Sequence, residues 1–202
     1  MTIEITALAA AMAFVLSFAV AFARMSPSRG VRVASTIYVE IFRGTSALVQ
    51  LFYLFYILPI VGIKMPPMMT GVVGLGLNMA AYGSEIVRSA ITSVGRGQHE
   101  AGAALGLHKW QVMRLVIVPQ AMALIWPAFG NLLVELVKSS SLVSLITLTD
   151  LTFAGVQMVI STGRVFEAWT LVLVIYFVIA YPLSLLSEAA ERRAKRFRSG
   201  RR

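Results

Sequence analysis

Five long apolar stretches, separated by short charged segments, constrain this chain more than any other feature of its sequence. Their residues are 5–23, 44–63, 65–87, 115–134 and 168–187. Each is close to the ~20 residues that cross about 30 Å of hydrocarbon as an α-helix. Hydrophobic residues make up 58% of the 202 and charged residues 13%, which is too apolar for the surface of a soluble domain. The sequence therefore predicts an all-α integral membrane protein, a single domain over residues 1–202 with about five transmembrane helices.

Local signals mark the ends of the first three stretches. Pro59, Pro66 and Pro67 cluster around Lys64, a pattern typical of a turn rather than a helix interior, so the chain should reverse there. The first stretch ends in Ala21-Phe22-Ala23, which is similar to a signal-peptidase site. Its cations follow the apolar residues instead of preceding them, which is the opposite of a signal peptide. We therefore expect an uncleaved helix whose N-terminus lies outside.

The distribution of Lys and Arg predicts the orientation of the chain. Five spans put the two termini on opposite sides, and cytoplasmic loops carry the excess of cations. With the N-terminus outside, only Lys64, Lys138 and Arg164 of the 18 cations face outward. The segment 88–114 and the basic tail 189–202 are then cytoplasmic, and the tail would lie against anionic lipid headgroups.

Other classes of function find little support. The formal net charge is +9, but the cations crowd into the tail without a nucleic-acid-binding motif, so we expect no nucleic acid partner. His99 and His108 are the only histidines and cysteine is absent, which disfavours a metal site. No Gly-rich loop with the Walker spacing is present to hold nucleotide phosphates. We expect no catalytic residues, no cofactor and no enzyme activity in this chain.

Residues 139–152 form a semi-apolar segment rich in hydroxyl groups between the fourth and fifth stretches. It is too interrupted to be an ordinary sixth span. One interpretation is a re-entrant or interfacial hairpin, whose backbone polar groups would need protein or a water-filled cavity at membrane depth. The other is an amphipathic outer loop, and the sequence does not separate the two.

The predicted cytoplasmic segment 97–119 shows a pattern of two short helices. Glu100 is placed at the start of the first, where an acid favours the positive end of the helix dipole. Good helix formers follow, Gly106 suits a left-handed cap, and the pattern restarts at Leu107. A compact helix–glycine–helix of this kind could sit in a groove on another protein, or it could be an ordinary lipid-surface helix.

This segment resembles the EAA signature of the permeases of ABC importers. That signature has Glu-Ala-Ala, then three residues, Gly, nine residues, and Ile-x-Leu-Pro. The residues at this spacing are Glu100, Ala101, Gly106, Val116, Val118 and Pro119. Gly102 stands where a second alanine is usual, and valines replace the isoleucine and leucine.

Three further segments resemble the polar amino-acid branch of that family, the histidine, glutamine and arginine type of permease. They are Glu40–Phe52, which has Ser46 where proline is usual, then Asn78–Arg88, and finally Pro119-Gln120-Ala121. The similarity runs from about Ser35 to Arg193, and the motifs occur in the family's order. Opine and ectoine permeases are related to this branch.

The resemblance implies a type I ABC importer permease in the bacterial cytoplasmic (inner) membrane, carrying a polar amino acid or an ectoine-like solute. Residues 96–114 would be its cytoplasmic coupling loop. The residues implied to couple to an ATPase are Glu100, Ala101, Ala104, Leu105, Gly106 and Leu107. Implied partners are a cytoplasmic ABC ATPase dimer, a second identical or similar permease, an extracytoplasmic solute-binding protein and membrane lipid. The competing hypothesis is an ATP-independent channel or membrane scaffold.

Candidate residues of a solute pathway are the polar groups of the predicted spans and outer segment, Asn78, Tyr82, Glu135 and Asp150. An ionisable group near hydrocarbon costs ~2.5–3.5 kcal/mol on insertion scales, so Glu135 should face a partner, a cavity or a subunit interface. The alternative for Glu135 is an ion pair with Lys138 one turn on. The acid–base pairs Glu40 with Arg43, and Glu85 with Arg88, are predicted to orient helices.

Overall fold

The computed structural model describes residues 1–199, with side chains at all of them except Arg96 and residues 193–199. The described part contains helices and turns only, in the order α1 (Thr2–Arg24), α2 (Arg29–Gly44), α3 (Ala47–Phe52), α4 (Pro67–Ser93), α5 (Arg96–Ala104), α6 (Lys109–Val112), α7 (Val118–Ser139), α8 (Leu151–Thr162) and α9 (Val165–Ser199). The all-α prediction is confirmed. A π-helical turn (Tyr53–Ile57) and a 3-10 turn (Leu58–Val61) extend α3, a π turn (Met113–Ile117) joins α6 to α7, and a 3-10 turn (Ser140–Ile146) extends α7.

Three helices of the described chain are long and apolar enough to cross a membrane. They are Thr2–Arg24, Lys109–Ile146 and Val165–Arg192. A fourth candidate arises if Arg29–Gly44 and Ala47–Val61 form one span, although the chain bends by 107° between them. The predicted number of about five spans therefore stays a prediction, and it requires α4 to cross as well.

Helix α4 contains the predicted third span, 65–87, and lies at the centre of the fold. Its 27 residues correspond to about 40 Å of helix. Fourteen of these residues are buried, including Asn78 and Ser84, because α1, α2, α3 and α7 all pack on this helix. A helix surrounded by other helices needs little apolar surface, which explains why α4 is less apolar than α1 and α7.

The closest helix crossing joins α1 to α4 through small residues. Ser17 Oγ donates a 2.6 Å hydrogen bond to the Ala13 carbonyl and approaches the Ala80 carbonyl at 3.4 Å. A Cβ placed on Gly83 would overlap Ser17 Oγ and would lie 3.1 Å from the Phe129 ring. The backbones can therefore approach this closely only because position 83 has no side chain.

We expect the substitution Gly83→Ala to lower the free energy of unfolding by about 1–3 kcal/mol, the usual cost of overpacking a core. Thermal unfolding of the purified protein in detergent measures it. The control is Gly30→Ala in α2, where nothing lies within 4 Å of the added Cβ. Equal midpoints for the two variants would show that the α1–α4 crossing relaxes at no cost.

A network of one acid and two bases also joins α1 to α4. Glu85 accepts hydrogen bonds from both Arg24, at the end of α1, and Arg88, one turn further along α4. The Arg24 and Glu85 side chains are only 13% and 26% exposed. The predicted Glu85–Arg88 pair is thus present, together with an unpredicted partner 61 residues away.

The predicted second stretch, 44–63, corresponds to α3 with its π and 3-10 turns, Ala47–Val61, but a further helix precedes it. The chain first forms α2 (Arg29–Gly44), which the sequence analysis did not predict, and only then turns into α3. The Tyr38 hydroxyl of α2 donates a 2.6 Å hydrogen bond to the Leu77 carbonyl of α4. Because Leu77 lies in the interior of α4, the end of α2 reaches along that helix instead of remaining a surface linker.

The segment 139–152 is helical over its first half and is packed in the interior. After the 3-10 turn, Thr147 adopts a left-handed conformation (φ +66°), and α8 begins at Leu151. Val143, Ile146 and Leu148 belong to a core cluster formed with residues of α1, α3, α4 and α7. The buried residues of the segment therefore pack into the core, while Leu145, Thr147 and Thr149 are exposed, and both interpretations of the segment stay predictions.

The basic tail 189–202 lies partly outside the described residues, which end at 199. Within the described side chains, Arg192 contacts Glu188 at 3.4 Å, and both are mostly exposed. The predicted contact of the tail with lipid headgroups stays a prediction.

Candidate functional site

Helices α5 and α6 have the helix–glycine–helix arrangement that the sequence indicates. At the end of α5, the Gly106 N–H donates to the Ala103 carbonyl (2.9 Å) and the Leu107 N–H donates to the Gly102 carbonyl (3.1 Å). Gly106 has φ +75°. These two bonds around a left-handed glycine form a Schellman motif, which ends α5 abruptly and turns the chain into α6.

Glu100 does not start the first helix, and that prediction was wrong. Helix α5 begins at Arg96 with Gly95 as its N-cap, so Glu100 is its fifth residue. The physical reason is that Gly95 already provides the extended backbone that a helix start requires, one turn earlier. Glu100 is exposed, and it has no role in capping the helix dipole.

Most of the predicted coupling residues form an exposed surface on α5. Glu100, Ala101, Ala104 and Gly106 are exposed, and Leu105 is 79% exposed. Leu107 is different, because it is half-buried and packs against the core cluster that contains Val112 and Ile117. Leu107 therefore packs the α5–α6 loop against the core of this chain and is not part of its exposed surface. The other five residues form what we call the exposed α5 surface.

The opposite side of α5 contacts the start of α7. Gln120 Nε2 donates a 3.1 Å hydrogen bond to Gln98 Oε1. Gly102 is buried against Val112 of α6, and α6 continues through the π turn into α7. The exposed α5 surface is thus connected to α7 by a short chain of packed elements.

Two cavities lie between the end of α2, α4 and α7. The larger has a volume of about 700 Å³ and the smaller about 360 Å³. Tyr82, Leu132 and Glu135 line both cavities. We call the pair the groove, since these shared residues make it continuous.

Among the described residues, the groove holds one base and one acid that form no ion pair. The Arg43 guanidinium lies 5.5 Å from the centre of the Tyr82 ring, a cation–π geometry. Glu135 is exposed in the groove, and within the described part of the chain neither it nor Arg43 forms an ion pair. The alternative pairing of Glu135 with Lys138 is therefore absent, as is that of Glu40 with Arg43.

Asn78 lies at the edge of the groove but is held by structural hydrogen bonds. Its Nδ2 donates to the Phe42 carbonyl (3.2 Å) and to Gln50 Oε1 (2.9 Å). Gln50 Nε2 in turn donates to the Phe42 carbonyl at 3.0 Å. These bonds satisfy backbone groups left free where α2 bends into α3, so Asn78 stabilises the bend and only borders the smaller cavity.

Asp150 is not part of the groove. It is 3% exposed and caps α8, accepting a 2.9 Å hydrogen bond from the Phe153 N–H. The Tyr176 hydroxyl lies 3.3 Å from its second oxygen. It borders a separate cavity beside Thr2 and Ile175. Of the four pathway candidates, the structure brings Tyr82, Glu135 and the edge residue Asn78 together and places Asp150 elsewhere.

The sequence analysis missed Arg43 and Asn131 as groove residues. Charge counting puts Arg43 on the cytoplasmic side, which stays a prediction, and the structure shows its guanidinium over the Tyr82 ring. Asn131 lines the larger cavity, and the Ser187 hydroxyl of α9 lies 2.8 Å from its side-chain oxygen. Asn131 and Glu135 are four residues apart on one face of α7, a spacing that could have indicated the first from the second.

The family described as "Binding-protein-dependent transport system inner membrane component" matches residues 8–196. A probable amino-acid ABC transporter permease of Sinorhizobium fredii is 42% identical and covers all of this chain and 87% of its own length. The L-cystine transport system permease of Bacillus subtilis is 35% identical over 97% of this chain and 84% of its own. The glutamine transport system permease of Escherichia coli is 33% identical, with 96% and 90% covered.

Solved structures give the same picture of the fold. A crystal structure described as an amino acid ABC transporter with histidines superposes with a TM-score of 0.90 at 36% identity, covering 96% of this chain and 90% of its own. An inward-facing structure of the MetNI methionine ABC transporter superposes with a TM-score of 0.80 at 21% identity, covering 96% and 92%. At that identity the second likeness shows the fold alone.

Proposed function

The chain belongs to the family of binding-protein-dependent transport system inner membrane components and is the permease subunit of an ABC importer, and from this premise we propose that it carries a polar amino acid through the groove. The single observation that carries the choice of solute is the pair of free charges, Arg43 and Glu135, on the wall of one cavity. A guanidinium recognises a carboxylate, and a carboxylate recognises an ammonium group. A zwitterionic amino acid offers both.

The names of the relatives support the same solute class. The Bacillus subtilis relative is named for L-cystine and the Escherichia coli relative for glutamine, and both are polar amino acids. An ectoine-like solute also carries a carboxylate and a cationic group, so it stays a second candidate within the same chemistry. An ATP-independent channel or scaffold is less well supported, because these relatives are transport permeases.

We propose that the exposed α5 surface docks on a separate cytoplasmic ATPase, one of two that hydrolyse ATP for the transporter. Leu105 and the alanines offer apolar contact there, and Glu100 offers a charge at its rim. A push on this surface reaches α7 through the Gly102–Val112 contact and the Gln98–Gln120 hydrogen bond. Because α7 lines the groove, its displacement would open or close the solute path.

The remaining partners are also part of this proposal. The groove is open on one side, and a second permease subunit, identical or similar, would cover it. A solute-binding protein would deliver the amino acid to the outer side, and lipid would surround the exposed apolar faces of α1 and α9. The N-terminus would lie outside and the C-terminus in the cytoplasm of a bacterial cell.

The experiment that tests ATPase docking is the substitution Leu105→Arg. A charge at a central apolar contact is expected to weaken association by about 2 kcal/mol, roughly thirtyfold. Co-purification with the partner ABC ATPase, and the ATPase's hydrolysis rate with the binding protein present, measure the effect.

The matched control is Ile60→Arg. Ile60 is 78% exposed, almost the same as Leu105 at 79%, but it lies at the predicted outer end of the second span. This variant should associate and hydrolyse normally. If Leu105→Arg also associates normally, α5 is not the docking helix, and a lipid-surface helix becomes the better interpretation.

A further inference from the structure

Gly102 lies in the contact between α5 and α6. A Cβ built on it would come within 2.5 Å of Val112 Cγ2 and 3.1 Å of Cγ1. Val112 is 3% exposed and belongs to the core cluster that holds Ala21, Val87 and Ile117. Its branched side chain has few rotamers in a helix, so it cannot swing aside to admit a methyl group.

The sequence gives this contact its significance. Gly102 stands at the position where the family signature usually has its second alanine, so the chain lacks a methyl group at the site that Val112 fills. The Val112 methyl groups lie where a Cβ at position 102 would overlap them. Volume-conserving pairs of this kind pack well together, while either member alone leaves an overlap or a void.

We propose that Gly102 and Val112 are a matched steric pair that sets the angle between α5 and α6 and transmits the movement of α5 to α7. This inference rests on the proposed docking of an ATPase on α5. Apart from the chain segment that leads into it from α4, α5 packs chiefly on α6 and on the π turn that leads to α7. Gly102 faces α6 and the exposed α5 surface faces away, so the pair acts on transmission and leaves the docking surface unchanged.

The test is a double-substitution cycle in proteoliposomes that contain the permease, its ATPase and its binding protein. Gly102→Ala should lower binding-protein-stimulated hydrolysis and solute uptake by about fivefold, the order expected for one overpacked methyl group. Association with the ATPase should stay unchanged. Gly102→Ala combined with Val112→Ala should recover both activities to within about twofold of the starting protein.

The control for helix propensity is Gly97→Ala, also in α5, where nothing lies within 4 Å of the added Cβ. It should be silent. Full activity of Gly102→Ala, or no recovery of activity in the double variant, would overturn the steric pair. Docking of the ATPase is tested separately by Leu105→Arg. If Leu105→Arg leaves ATPase association unchanged, the docking proposal is wrong, whatever the Gly102 variants show. The two proposals can therefore fail independently.

Discussion

Replacing Glu85 with leucine is expected to lower the free energy of unfolding by about 3 kcal/mol, the lower end of the cost of breaking a buried ion pair. Glu85 is the acid shared by Arg24 and Arg88. Without it, Arg24 keeps a guanidinium that is only 13% exposed and has no other acid within reach in the described structure. A buried charge without a partner costs more than the pair contributes when intact.

The loss should appear as a lower midpoint of thermal unfolding in detergent and a lower yield in the membrane. The matched control is Glu188→Leu, which removes the acid that contacts Arg192 at 3.4 Å. There the two side chains are 59% and 65% exposed, and exposed pairs contribute about 0–1 kcal/mol. A midpoint of Glu85→Leu as high as that of the control would mean that water reaches Arg24 freely.

The same ion pair shows where sequence reasoning ends. The i,i+3 spacing of Glu85 and Arg88 predicts their contact, because both lie on one turn of one helix. Arg24 is 61 residues away from Glu85, and only the packing of α1 on α4 brings the two together. Local periodicity therefore predicts the Glu85–Arg88 pair and does not predict the Glu85–Arg24 pair.

Elements set by local chemistry were predicted well. The all-helical fold and the importer-permease architecture are confirmed, and Gly106 has the left-handed backbone that a helix end requires. The features that were not predicted depend on distant residues, such as the Arg43 guanidinium over the Tyr82 ring. The pathway role of Asp150, which caps α8, stays a prediction.

Helix α2 was not predicted either, because contacts with distant residues help to position it. Its residues, 29–44, include Arg29, Arg32 and Arg43 and are too polar for a span, so hydropathy assigns them to a loop. The helix is positioned by the Tyr38 hydrogen bond to α4 and by the bend that Asn78 and Gln50 hold at its end. The bonds of Tyr38 and Asn78 join residues 39 and 36 positions apart, and a window of sequence does not contain them.

Reversing the charge of the groove acid with Glu135→Lys is expected to reduce amino-acid uptake by about thirtyfold or more. A hydrogen bond to a charged group contributes about 1.5–3 kcal/mol, and reversal adds repulsion of the solute's ammonium group. Uptake by Glu135→Gln should lie between that of the starting protein and that of Glu135→Lys, since an amide still accepts one hydrogen bond. Uptake of radiolabelled glutamine into proteoliposomes with the binding protein and ATPase is measured for the starting protein and both variants.

The matched control is Lys138→Glu, a charge reversal one turn away on α7 that lines neither cavity of the groove, and it should leave uptake within about twofold, as for surface substitutions. ATPase association should be normal in every variant, because Glu135 is not on the exposed α5 surface. Normal uptake by Glu135→Lys would move the solute path away from the groove. Selective loss with association intact would instead identify Glu135 as the group that faces the solute's ammonium during passage, which leaves Arg43 as the facing group for its carboxylate.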